Sequence, residues 1–141
     1  MQVGVASDEA VANQYVFVID PCEVSRAALQ FMLQDEYETH EWRALGEALG
    51  RMRERRPELV IVGAGALEPD GSQAMDRIRE ASPATRILVR VGAPNGPEDR
   101  RWLAWGAQGL LPQPLTVEAV RRKARLALGR SAPLGIGVEA G

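Results

Sequence analysis

The sequence holds a single cysteine and a single histidine. One cysteine excludes an internal disulfide framework and a multi-cysteine zinc site. The lone His40 has no second His or Cys close to it in sequence with which to share a metal, so it reads as structural. Long apolar runs are also missing. No stretch approaches the ~20 residues needed to span a membrane. Residues 1–14 carry no Lys or Arg and no apolar segment of the kind a secretory leader requires. The expected compartment is therefore the cytoplasm. Neither charge is in excess: 17 Lys and Arg face 19 Asp and Glu, for a net charge of -2, which argues against a general nucleic-acid binder. What is present is 45% hydrophobic and 26% charged residues over 141 positions, enough for one domain with a buried core and too apolar for wholesale disorder.

Residues 1–14 are small and polar without a period, and are expected to form a flexible arm. Residues 129–141 are rich in glycine and small side chains, and are expected to form a flexible tail. Between them the chain alternates. Tyr15 to Ile19, Leu59 to Val62 and Ile87 to Val91 are short apolar runs of the kind that are buried on both faces of a parallel sheet. Tyr37 to Glu41 alternates like an exposed edge strand, and Leu110 and Leu111 mark a short last one. Helical spacing appears in Val24, Ala28, Phe31 and Met32, in Leu45, Leu49 and Met52, and in Ala74, Met75, Ile78 and Ala81. Pro97 with Glu98 and Asp99 suits a helix start, and Thr116 suits an N-cap ahead of Val117, Val120, Ala124 and Leu128.

These signals predict β1 at 15–20, α1 at 22–34, β2 at 37–41, α2 at 44–56, β3 at 58–63, α3 at 71–82, β4 at 86–91, α4 at 97–105, β5 at 109–112 and α5 at 116–128. Regular strand–helix alternation implies parallel strands with helices on both faces. In such sheets chemistry sits at the carboxyl ends of the strands. That directs attention to Asp20, Gly63, Gly92 and the stretch after Leu111.

The loops at those ends, VFVIDP, PELVIVGAGALEPDG, ILVRVGA and WGAQGLLPQP, taken in this order, resemble the receiver domain of two-component response regulators across roughly residues 15–128. The resemblance implies a (βα)5 three-layer α/β/α sandwich, flavodoxin-like, with parallel sheet order 2-1-3-4-5. It also implies a phosphoryl-accepting carboxylate after β3, two acids after β1 holding Mg²⁺, a hydroxyl after β4, and a Lys-Pro pair after β5. Most of that set is gone here. Asp20 matches the first acid, but Pro21 stands where the second belongs. Gly63 takes the acceptor place, Gly92 the hydroxyl place, and Gln113 the Lys place ahead of Pro114. Leu110 stands at the aromatic switch position. A glycine has no group to phosphorylate, so the resemblance implies a degenerate receiver with a vestigial pocket, no bound metal and no cofactor. It further implies a cis Gln113–Pro114 bond.

Other features are weighed at the same level. The resemblance places Glu68 and Asp70 several residues past the acceptor position, away from the pocket floor. Gly63-Ala64-Gly65 opens like a dinucleotide fingerprint, but Glu68 and Pro69 break it. Arg51, Arg53, Arg55 and Arg56 crowd the end of α2, where cations complement a helix dipole. Cys22 at the start of α1 reads as a plain small residue, and Trp42 as ordinary packing. Trp102 and Trp105 are three apart on α4 and, if exposed, anchor an interface.

The resulting expectation is a phosphorylation-independent signalling or scaffolding module, not an enzyme. It acts by protein–protein contact through α4–β5–α5, with Trp102, Trp105, Leu110, Arg121 and Arg125 on that face. Its partner is a signalling protein or a second copy of the chain, not nucleic acid or membrane. Two rival expectations are an atypical but active phosphoacceptor in a phosphorelay and a small-ligand (nucleotide) sensor using the vacated pocket. No output domain follows Leu128, so the chain is expected to be a stand-alone module or a fragment.

Overall fold

The computed structural model describes residues 14–93, Gly96 and 99–129. The expected arm and tail, and the Pro97-Glu98 opening of α4, lie outside these residues. The elements are β1 (Tyr15–Ile19), α1 (Glu23–Leu33), β2 (Glu38–Trp42), α2 (Leu45–Arg55), β3 (Leu59–Gly63), a 3-10 turn (Ala64–Leu67), α3 (Gly71–Ala81), β4 (Arg86–Arg90), α4 (Asp99–Ala104), β5 (Gly109–Leu111) and α5 (Val117–Ala127). The strands are all parallel, in the order β2-β1-β3-β4-β5. This is the predicted sandwich, with boundaries moved by a residue or two.

Period-two alternation divides the strands' apolar residues between two layers. Phe17, Ile19, Val60, Val62, Ile87 and Val89 face one side, where Met52 of α2, Met75 and Ile78 of α3 and Trp102 of α4 cover them. Val16, Val18, Leu59, Ile61 and Leu88 face the other, under Leu29 and Leu33 of α1 and Val120 and Ala124 of α5. A strand covered on both sides must be apolar at every position, which is why β1 and β3 read as unbroken runs.

The inner faces of α3 and α5 fall where their spacing predicts, on Ala74, Met75, Ile78 and Ala81, and on Val120 and Ala124. Their starts are set by side-chain caps. Asp70 Oδ1 accepts from the Gln73 N–H at 3.1 Å, and Thr116 Oγ1 accepts from the Ala119 N–H at 3.1 Å.

α1 differs from its sequence pattern. Its buried residues are Ser25, Arg26, Leu29 and Leu33, whereas Val24 and Phe31 are 78% and 69% exposed. The reason is polar: Ser25 and Arg26 are drawn inward by hydrogen bonds at the strand ends, and this turns the apolar stripe outward. α4 is rotated as well. Trp102 is 5% exposed and Leu103 is 47% exposed, so the indole fills the core and the leucine does not.

Arg56 closes α2 in the left-handed region, with φ of 50° and its N–H bonded to the Met52 carbonyl. Side chains pay for that conformation and glycine does not. Arg56→Gly is expected to raise unfolding stability by about 0.5–1 kcal/mol, measured as a higher urea midpoint at unchanged slope.

Candidate functional site

The carboxyl ends of β1, β3 and β4 meet at one fully buried carboxylate. Asp20 follows β1, and its side chain lies above Gly63, the last residue of β3. Arg90, the last residue of β4, reaches it from the far side of β3. Its Nε donates to Asp20 Oδ2, and its Nη2 donates to Oδ1 at 3.2 Å. The sheet order explains the geometry, since β3 runs between β1 and β4 and Gly63 is paired with Arg90 in register. The ion pair therefore crosses over the end of β3. A Cβ at position 63 would lie 2.5 Å from Asp20 Cγ and 2.6 Å from each carboxylate oxygen. Glycine is needed there because the carboxylate already fills the space.

The bracing extends outward. The Cys22 N–H donates to Asp20 Oδ1 at 2.9 Å. Arg26 Nη1 donates to the Asp20 carbonyl at 2.8 Å, while its Nε donates to Glu41 Oε1 at 2.9 Å. Gln113 Nε2 donates to Ser25 Oγ at 3.2 Å, and the Gln113 N–H donates to the Gly92 carbonyl at 2.8 Å. The Gln113–Pro114 bond is cis, as expected. Pro21 and Pro114 are exposed beside these groups. A Cβ added to Gly92 would meet nothing within 4 Å, so that position forms open rim, and the residue aimed inward from β4 is Arg90.

This donor set does not fit a divalent cation. Mg²⁺ wants several hard oxygen ligands with free charge, and the one central carboxylate is already neutralised by a guanidinium. Among the described residues no three His, Cys, Asp or Glu side chains converge.

No family model matches the sequence, and no curated protein matches it. Solved structures do. NtrX from Brucella abortus, in complex with ADP, superposes with a TM-score of 0.74 at 23% identity, over 83% of this chain and 26% of that one. The chain thus spans about a quarter of that protein. The receiver domain of NtrX from Brucella abortus matches at 0.72 and 24% identity, over 82% of this chain and 99% of the other. A response regulator receiver domain protein from Clostridium thermocellum matches at 0.72 and 19%, over 83% and 95%. The chain has the receiver fold.

Within that receiver fold, the residues expected on the α4–β5–α5 face are not gathered together. Trp102 is withdrawn into the core, which corrects its expected role as an exposed anchor. Trp105 and Leu110 are half-buried against the α2–α3 layer. Arg121 and Arg125 turn the opposite way, toward α1: Arg121 Nε donates to the Met32 carbonyl at 2.9 Å, and Arg125 Nη2 meets Glu36 Oε2 at 2.8 Å. The exposed apolar side chains of the α4 and α5 helices are instead Leu103 and Leu126.

The arginines near the end of α2 are also engaged locally. Arg51 pairs with Glu54 at 3.4 Å, and Arg55 stacks 4.9 Å over the Tyr15 ring. His40 packs against Tyr15 and Phe17, and its Nε2 lies 3.1 Å from Glu38 Oε2. Trp42 lies in β2 itself, with its ring 5.5 Å from that of Phe17.

Arg90, Arg26, Ser25 and Glu41 were not singled out by sequence reasoning. The available signal was an arginine inside the apolar run ILVRV, one place from the end of that run. Cys22 is exposed, and the Ser25 hydroxyl hydrogen-bonded to its sulfur holds the thiol below the ordinary cysteine range.

Two sets of variants test this geometry. Arg90→Leu strands a buried carboxylate and is expected to cost about 3–5 kcal/mol, with the double variant Asp20→Leu/Arg90→Leu recovering much of it. Gly63→Ala drives a methyl into Asp20 and is expected to cost about 1–3 kcal/mol in the wild-type background, and far less beside Asp20→Ala. Denaturant unfolding of the single and double variants measures both couplings. Separately, the pH midpoint for alkylation of Cys22 is expected below that of free cysteine, and Ser25→Ala is expected to raise it.

Proposed function

We propose that the chain is a phosphorylation-independent signalling or scaffolding module of the two-component type, carrying no catalytic step and working by protein–protein contact. The observation behind this reading is the filled space above Gly63. A phosphoryl acceptor at that position needs a side chain, and Asp20 occupies the volume in which it would begin. The charge neutralisation that phosphoryl transfer demands is taken up by Asp20 itself, through Arg90. With no covalent input to bias one packing over another, the domain presents one surface rather than switching between two. The two-component setting is taken from the response regulators that share its fold.

The contact surface assigned to this activity is α4–β5–α5, with Leu103 and Leu126 as its exposed large apolar side chains and a signalling partner or a second copy of the chain as its occupant. Arg121 and Arg125, which brace α1 and its C-terminal turn, contribute support from behind.

Incubation with acetyl phosphate and Mg²⁺, followed by intact-mass measurement, tests the reading. The expected result is an unchanged mass, together with an amide NMR spectrum indifferent to beryllofluoride. A stoichiometric acid-labile adduct, on any residue, would overturn it.

A further inference from the structure

A second feature lies at the β2 edge of the sheet and does not depend on the silence of the Asp20 centre. β2 pairs with β1 alone, so one side of its backbone faces outward. The ladder shows which groups those are. The Glu38 N–H donates to the Gln14 carbonyl at 2.9 Å, and the Asp20 N–H donates to the Trp42 carbonyl at 3.0 Å, so Glu38, His40 and Trp42 turn their main-chain groups toward β1. Alternate residues of a strand turn theirs to opposite sides. The N–H and C=O of Thr39 and Glu41 therefore lie on the open side, with no partner among the described residues. Charged side chains often protect such an edge, but both acids of β2 are already occupied. Glu38 Oε2 lies 3.1 Å from His40 Nε2, and Glu41 Oε1 accepts from Arg26 Nε at 2.9 Å.

On the α2 face of this edge lies a pocket of about 50 Å³, lined by Phe17, His40, Trp42, Arg51 and Arg55. That volume is below the ~300 Å³ at which small-molecule and cofactor sites begin, yet it holds a few water-sized groups, enough for one carboxylate. The lining carries two guanidinium groups and no carboxylate. Their charge is available. The Arg51 contact with Glu54 spans 3.4 Å between exposed side chains, and such pairs are worth little. Arg55 lies over the Tyr15 ring and makes no ion pair among the described residues. An unpaired strand edge recognises an extended main chain, and a pocket beside it selects an alternate side chain of that segment. Here the charge selects an acid. A second copy of β2 would bring its own arginines to the same place, which argues for a different chain. We propose that the open edge of β2 is a docking site for an acidic extended segment of a partner protein, which adds to the sheet through the main chain of Thr39 and Glu41 and places one glutamate carboxylate against Arg51 and Arg55.

NMR of the full chain supplies the readout, through the Thr39 and Glu41 amides and the three indole Nε1–H signals. Titration with an acetylated, amidated peptide of alternating valine and glutamate is expected to move the Thr39, Glu41 and Trp42 signals saturably, with a midpoint below about 1 mM, while those of Trp102 and Trp105 stay in place. A valine–lysine peptide of equal length is expected to move none, and neither is the valine–glutamate peptide N-methylated throughout. The double variant Arg51→Glu/Arg55→Glu is expected to weaken binding at least about tenfold, with the unmoved Trp102 and Trp105 signals reporting an intact fold. Where it fails to fold, Arg51→Glu alone takes its place with the same expected loss. In the chain without peptide, the Thr39 and Glu41 amides are expected to exchange rapidly with solvent. Protection that grows with protein concentration would assign the edge to a second copy, and protection independent of concentration would assign it to the chain's own terminal residues. Either result, absence of saturable movement, equal movement by a control peptide, or full binding by the folded variant would overturn the proposal. None of these outcomes bears on the acetyl phosphate result.

Discussion

The arrangement of the strand ends follows from one buried ion pair that must pass over a neighbouring strand. Asp20 follows β1 and Arg90 ends β4, and these two strands are not adjacent. Their contact is possible only because β3, lying between them, ends in a residue without a side chain. Three positions far apart in sequence are thereby made interdependent. The carboxylate needs the guanidinium, since a bare charge in that interior is costly. The pair needs the glycine, since a Cβ would occupy its path. The remaining polar groups then attach to it: the Cys22 amide on the carboxylate, Arg26 on the Asp20 carbonyl, and Glu41 on Arg26.

The interdependence also commits the charge at the strand ends. Here the guanidinium is committed to a resident carboxylate in a bidentate geometry, Nε on Oδ2 and Nη2 on Oδ1. The absence of a side chain at position 63 and the presence of an arginine at position 90 are two sides of one physical solution.

Much of the architecture was legible in the sequence because burial leaves a period. β1 and β3 are apolar at every position, and α3 and α5 carry their inner faces at helical spacing. Asp70 and Thr116 announce the helix starts they cap. What escaped was wherever a polar residue had been turned inward. In α1, Ser25 and Arg26 hold the inner face, so the stripe of Val24, Ala28 and Phe31 suggested the wrong side. Arg90 resembled an interruption in a strand, because its partner lies 70 positions away in sequence. Trp102 and Leu103 could not be ordered by hydrophobicity alone, and the basic residues of α5 gave no sign that two of them reach back to α1. Period reports burial, whereas the destination of a charge depends on which strands the topology makes neighbours.

The brace over β3 also has a mechanical side. The register of parallel strands is held by their ladder hydrogen bonds and by the packing of both faces. Here β1 and β4 are riveted across β3, so shear among the three central strands would first have to pull opposite charges away from each other out of reach of water. Relative displacement of β1 and β4 therefore carries an electrostatic cost that β2 and β5, which lie outside the brace, do not share.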